Sequence, residues 1–298
     1  MPVTFNEILE IAKRGHKRTI AVAAADDTDV LSAIKDAQTR GIADAILIGD
    51  LEKIKKHAID IGFELNKVEI IHELNKIEAA KKAVMLVREK KAQMLMKGKI
   101  ATADVLRAVL DKDHGLRTGK LLSHIAILEV PTYHKLIFLS DGAQNIAPDL
   151  KQKAMITQNA VDVAKALGVK TPKVAIVTAL ELVNPKMPST VDAFELQQMY
   201  LRGEITDCVI HGPLAFDCAI SARAAKHKNV ESQVTGDVDV LIVPSIETGN
   251  ALYKALVYLA NAKVAGLIAG ATAPIILTSR SDSSESKLLS IACASIVA

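Results

Sequence analysis

The chain has 298 residues, half of them hydrophobic and 24% charged, with a formal net charge of +3. That length and composition suffice for one large or two modest domains with a sizeable core, and exclude a disordered chain. The small net charge, 3% aromatic content and absence of Trp argue against a nucleic-acid surface or a base-stacking platform.

Taken in order, the pattern predicts a helix over 5–14, with Ile8, Leu9 and Ala12 on one face. An apolar strand over 19–25 follows, then a turn and helix cap at Asp26-Asp27-Thr28-Asp29. A helix over 30–39 is ended by Gly41, and a strand over 43–48 by Gly49-Asp50. A helix over 51–61, a short strand over 68–71 and an amphipathic helix over 76–90 come next. The strand over 94–96 breaks at Lys97-Gly98, and Thr102 opens another helix.

The rhythm then changes. Apolar strands over 124–130 and 136–139 are joined by Pro131-Thr132-Tyr133-His134, a link that fits a hairpin rather than a crossover. A helix over 149–167, a strand over 174–177, a Pro-containing loop over 183–189 and a helix to about 201 follow. The strand over 208–210 is closed by His211-Gly212-Pro213 and leads to one helix over 216–225. A strand over 238–243, a turn over 244–250 and a helix over 251–262 precede the last element. That element reads as a strand over 274–278, a polar Ser279-Arg280-Ser281 turn, and a helix capped by Asp282 with Glu285 at capping-box spacing.

Strands alternating with helices of this length predict an α/β protein with a mostly parallel sheet. The hairpin near 130 and the region 266–270 are the candidate domain crossings. This predicts one discontinuous domain, 1–130 with 266–298, and a second over 131–265. Three separated cysteines, Cys208, Cys218 and Cys293, fit a reducing cytoplasm. The N-terminus carries Glu7 and Glu10 and no secretory core. The least polar run, 264–277, is shorter than the ~20 residues of a spanning helix. A cytoplasmic protein with no membrane and no nucleic-acid partner is expected.

In an open α/β sheet, ligands bind at the carboxyl ends of the strands. Five such ends here are small or polar: Lys97-Gly98, Asp141 to Asn145, His211-Gly212-Pro213, Glu247 to Asn250, and Ser279 to Asp282. Each alone reads as a turn or cap; their recurrence at one topological position marks a site. The last is the most explicit. The N–H groups of a helix start attract anions, the Arg adds a fixed charge, and flanking hydroxyls can donate. The turn reads equally as an oxyanion cradle or as a well-capped helix with an exposed Arg. No phosphate loop, dinucleotide fingerprint or nucleophile elbow is present. His114, His124, His134 and His211 lack metal-ligand spacing, and Cys208 lies in an apolar strand as a core residue.

Four motifs together carry a resemblance. They are Asp141-Gly-Ala-x-Asn145, Gly212-Pro213 followed by Asp217, the run from Asp239 through Pro-x-Ile-Glu247-x-Gly249-Asn250, and Thr278-Ser279-Arg280-Ser281-Asp282 with Lys287. This combination resembles the phosphate acetyl/butyryltransferase family, with the butyryl branch the closer match. The resemblance implies two α/β/α domains with an interdomain cleft, similar to isocitrate and isopropylmalate dehydrogenases, and a homodimer or larger homo-oligomer. It implies acyl transfer between coenzyme A and phosphate, with no acyl-enzyme, no metal and no cofactor beyond the acyl-CoA and phosphate that are substrates. Ser279 and Arg280 would hold the phosphoryl group and stabilise the developing oxyanion. Asp282, the third candidate catalytic residue, is with Glu285 only a nearby substitute for a base, and both also read as helix caps. Asp141, Asn145, Gly212, Pro213, Glu247, Gly249, Asn250, Thr278 and Ser281 are the implied substrate contacts.

Two departures matter. The acetyl branch has Cys where Gly142 stands, and an Asp, thought to deprotonate the coenzyme A thiol, that would fall near Ser286-Lys287. The base for the thiol is therefore open. The alternatives are an acetyl-CoA enzyme of the same family, a metal-dependent NAD dehydrogenase of related fold, and a non-catalytic acyl-CoA-binding protein. The dehydrogenase would need a carboxylate cluster that this sequence does not offer.

Overall fold

The computed structural model describes residues 2–278 and 282–298. It divides into two compact units, Phe5–Lys120 with Ala265–Ala298, and Leu121–Val264 with Met1–Thr4.

The first unit begins α1 (Phe5–Arg14), β1 (Arg18–Ala23), α2 (Thr28–Thr39), β2 (Ala43–Gly49), α3 (Leu51–Asp60) and β3 (Glu69–His72). It continues with α4 (Lys76–Arg88), β4 (Met94–Lys97) and α5 (Thr102–Val109). Three helix starts follow from polar residues at the right place. Asp27, Asp50 and Asn75 accept hydrogen bonds from backbone N–H groups two or three residues on, which satisfies donors the helix cannot. β1 and β4 are short apolar runs, and β4 is buried along its whole length, as parallel strands covered on both faces must be.

The second unit carries β5 (Ser123–Glu129), β6 (Ile137–Ser140), α6 (Leu150–Ala166), β7 (Lys173–Thr178), α7 (Pro188–Leu201) and β8 (Val209–Ala215). It then has α8 (Phe216–Ile220), α9 (Ala222–His227), β9 (Val240–Ile242) and α10 (Ile246–Leu259). β10 (Lys263–Ala269) leads back into the first unit, which ends with β11 (Ile275–Ile276) and α11 (Ser284–Val297).

In the first unit the strands lie in the order β3-β2-β1-β4-β11-β10. β3, β2, β1, β4 and β11 are parallel, and β10 is antiparallel to β11. The chain leaves β1 toward β2 and later returns to β4 on the other side. The topology therefore switches between β1 and β4. α11 is buried nearly all round and packs on α1 and α2, as its continuous apolar run requires. In the second unit the order is β5-β6-β9-β7-β8. β5 and β6 form the expected antiparallel pair, with Ala126 opposite Leu139. β6, β9, β7 and β8 are parallel.

The structure corrects five local expectations. Gly212-Pro213 does not close a strand but lies inside β8, with a cis peptide bond. The register steps from Ala175–His211 to Val177–Leu214, so two residues of β8 oppose one of β7, a bulge that accommodates the proline. The helix expected over 216–225 is two helices, because Ser221 turns extended and caps α9 by accepting from Ala224 N–H. α10 starts at Ile246, so Glu247, Gly249 and Asn250 stand in its first turn rather than in a preceding turn. The segment 266–270 is largely strand β10, which alternation did not reveal. The last helix is capped by Ser283, whose hydroxyl accepts from Ser286 N–H, and not by Asp282.

Candidate active site

The carboxyl ends of β6 and β9 are neighbours in the second unit, and their loops are stapled together. Asp141, 3% exposed, accepts four hydrogen bonds. Oδ1 takes the N–H groups of Ala143 and Gln144, both at 2.9 Å, and Oδ2 takes His124 N–H at 3.0 Å and the Asn145 amide at 2.6 Å. Asn145 also donates to the Leu122 carbonyl at 2.9 Å. From α10, Asn250 donates to the Gly142 carbonyl at 3.1 Å.

The two glycines make this approach possible. A Cβ on Gly249 would lie 2.7 Å from both the Asp141 carbonyl oxygen and Gly142 Cα. One on Gly142 would lie 3.0 Å from the Gly249 carbonyl carbon. The contact at Gly249 leaves no room for a side chain without a backbone shift, and the one at Gly142 is tight. Asp141, Asn145, Gly249 and Asn250 are thus brought together, and the Asp141 carboxylate orders its own loop.

The start of α10 is already partnered. Ile246 N–H donates to the Ile146 carbonyl and Gly249 N–H to the Ser245 carbonyl. Its own backbone N–H, followed by the Ser245 hydroxyl, holds the exposed Glu247 carboxyl below its ordinary range. Gly212 and Pro213 sit deeper, in the bulge of β8. There Gly212 N–H donates to Gln197 at 2.9 Å, and a Cβ would meet Ile176 Cβ at 2.7 Å.

In the first unit, a cavity of about 360 Å³ opens at the carboxyl ends of β1 and β4, where the topology switches and a doubly wound sheet binds its ligand. Its walls come from Asp27 and Val30 of the α2 start, from residues 97–101 and Asp104 after β4, and from Lys76, Thr278 and Lys287. Gly98 closes the floor. A Cβ there would fall 2.1 Å from the carbonyl oxygen of Ala24, itself in a left-handed conformation at φ 55°. Thr278 is 6% exposed and Lys287 4%. The Lys287 ammonium donates to the Asp282 carbonyl. Ser279, Arg280 and Ser281, which follow Thr278 directly, lie outside the described residues.

The remaining reactive groups are occupied. Among the described residues, Glu181, Asp217 and Cys218 form the one group close enough to share a cation. The Lys228 ammonium bridges it at 2.7 Å from Glu181 and 3.0 Å from Asp217, and this holds both carboxyls below their ordinary range. Burial pushes the Cys218 thiol up to about 11 and the Cys208 thiol up to about 12, with Cys293 higher still. Thiols so protonated are poor nucleophiles and poor metal ligands. Among the described residues, no helix is long and apolar enough to cross a membrane.

A largely parallel, doubly wound sheet with a cavity at its switch point defines an α/β protein of the kind that binds ligands at its strand ends. Comparison with known proteins narrows that class. The profile of the family described as phosphate acetyl/butaryl transferase matches residues 3–78 and 67–295. The chain is 50% identical to the phosphate butyryltransferase of Clostridium acetobutylicum over 295 residues, 99% of this chain and 98% of that one. It is 41% identical to the phosphate acetyltransferase of Thermotoga maritima over 98% of this chain and 99% of that one. Among solved structures, a branched-chain phosphotransacylase from Enterococcus faecalis V583 superposes with a TM-score of 0.82 at 35% identity, covering 94% of this chain and 99% of that one. The chain belongs to the phosphate acetyl/butaryl transferase family.

Proposed function

We propose that this chain transfers a butanoyl group between coenzyme A and inorganic phosphate, making butanoyl phosphate and free coenzyme A, reversibly. The observation that carries this reading is the 50% identity, end to end, with a phosphate butyryltransferase. A phosphate oxygen attacks the thioester carbonyl, the tetrahedral oxyanion collapses, and the C–S bond breaks to release the thiolate, which takes up a proton. Arg280 pairs with the phosphoryl group and Ser279 donates to the oxyanion as it forms. Thr278 and Ser281 flank this pair, and the Asp282 carboxylate is the nearest group in sequence for proton transfer. The loops built on Asp141, Asn145, Gly249 and Asn250, with the exposed Glu247 and the bulge at Gly212-Pro213, contribute the other substrate contacts. The acyl-CoA and phosphate are the only small molecules required. The protein acts in the cytoplasm as a homodimer or larger homo-oligomer.

Acyl length separates this from the acetyl reading that the 41% identical acetyltransferase keeps in view. Each methylene in an apolar pocket is worth about 1–3 kcal/mol. At saturating phosphate, kcat/KM for butanoyl-CoA should exceed that for acetyl-CoA by about tenfold or more. A preference for acetyl-CoA assigns the chain to the acetyl reading.

A further inference from the structure

We propose that the first unit holds a second anion site, at the end of its sheet opposite the switch point, which takes a phosphorylated small molecule. The assignment does not depend on the acyl-transfer reading above.

A cavity of about 630 Å³ opens there, within the size range of small-molecule sites. Its apolar lining comes from Val87 at the end of α4, Ala92 before β4, and Leu116, all buried. The rest comes from Arg88 and Lys90, from the loop after α5, and from the β10–β11 turn at Thr272 and Ala273. β4 separates the two cavities. Gln93, just before β4, lines this one, and Lys97, the last residue of β4, lines the other. At ~3.3 Å per residue the strand puts about 13 Å between them, so one phosphate cannot serve both.

The walls are held in place without a ligand. The Asp111 carboxylate accepts from Asp113 N–H at 3.0 Å and from His114 N–H at 2.7 Å. Leu116 N–H donates to the Val109 carbonyl at 2.8 Å, and Thr272 N–H to the Leu116 carbonyl at 2.9 Å. A Cβ on Gly115 would fall 2.3 Å from the Val109 carbonyl oxygen, so the loop closes this tightly only with glycine. The Arg88 guanidinium donates to the Asp113 carbonyl and ties the end of α4 to the loop.

Four cations, Arg88, Lys90, Lys112 and Arg117, line the cavity against two carboxylates, Asp111 and Asp113. A further carboxylate at Ala298, which also lines it, would not cancel the excess. Among the described residues, Lys90, Lys112 and Arg117 make no ion pair and no side-chain hydrogen bond to a partner. The carboxyl end of α4 accounts for Arg88 and Lys90, because the helix dipole favours cations there. Lys112 and Arg117 stand beyond the cap of α5 at Leu110, outside the last turn in which that field acts. A concave site lined by one sign of charge concentrates the other. A phosphomonoester carries about −1.5 to −2 near neutral pH. The Arg117 fork can pair with two of its oxygens, and the buried apolar lining suits its organic body.

The probe is phenyl phosphate, with phenol as its uncharged control. In calorimetry on the full chain, phenyl phosphate should bind with a dissociation constant below about 1 mM, and phenol should not bind. In a Lys112→Gln/Arg117→Gln double variant the affinity should fall about tenfold or more. Both side chains are exposed, so the variant should melt within about 2 °C of wild type. Its thiol release from butanoyl-CoA should stay within about twofold.

Equal affinity in wild type and the folded double variant overturns the assignment, as does a wild type that binds no phenyl phosphate at millimolar concentration. Loss of thiol release in the folded variant overturns it too, because the two cations would then belong to the acyl-transfer site. If the double variant does not fold, lysine acetylation of the wild type, read by peptide mass, decides. Phenyl phosphate should protect Lys90 and Lys112 more than the other exposed lysines, and equal labelling with and without it overturns the assignment.

Discussion

Asp141 reads in sequence as a residue facing a ligand, whereas its carboxylate gathers four donors of its own loop and of β5. Asp141→Ala should destabilise the fold by on the order of 2–4 kcal/mol, because several donors lose a charged acceptor at once. Urea unfolding checks this, and an unchanged midpoint would show that water replaces the carboxylate without loss. The opposite expectation applies to the pair after Thr278. Arg280→Gln should weaken phosphate binding and slow turnover together, while Ser279→Ala should lower kcat by on the order of 10²-fold with little change in KM. Steady-state kinetics beside a thermal melt decides, and normal kinetics in a folded Arg280→Gln protein removes that residue from the site. Lys97, at a polar strand end, and Lys287, in the last motif, were both legible in the sequence, but their burial was not, because a lysine after a strand or in a first helical turn reads as surface. The cap moved from Asp282 to Ser283 because two adjacent residues offer the same acceptor chemistry, and spacing alone does not choose between them.

At the scale of elements, periodicity and caps made most of the chain legible. α1 and the helix starts at Asp27, Asp149 and Thr102 stand where the pattern puts them. The failures share a cause. Gly212-Pro213, Ser221 and Gly266 are residues that usually punctuate, and in β8, at the α8–α9 junction and in β10 tertiary pairing decides what they do. Gly98 shows the same dependence on a partner strand. Its N–H donates to the Ala23 carbonyl, Lys99 N–H donates to the Ala24 carbonyl, and no space is left for a Cβ. Gly98→Ala should force the ends of β1 and β4 apart at a cost of about 1–3 kcal/mol or more. Thermal melting should fall as the cavity floor shifts, and a variant with the wild-type melting temperature would contradict this account of the floor.

At the scale of the molecule, strands alternating with helices announced the α/β class, because the two periods differ and each run is long enough to read. What pattern could not convey is which carboxyl ends become neighbours. The β6 and β9 loops meet because β9 inserts between β6 and β7, a matter of strand order rather than of local sequence. Surface composition bears on assembly. α10 is apolar along most of its length, yet Gly249 is its one buried residue, and Tyr258 and Leu259 are 66% and 84% exposed. Such a face favours self-association, so light scattering at micromolar concentration should return the mass of a dimer or larger, and a monomer mass of 31.9 kDa would contradict it.

The most direct measurement of the central claim is thiol release from butanoyl-CoA by the purified chain, with and without inorganic phosphate, in excess chelator. The account predicts release that requires phosphate, survives chelation, and yields butanoyl phosphate in equal amount to free coenzyme A. Release independent of phosphate, or activity that returns only with a divalent ion, would contradict it.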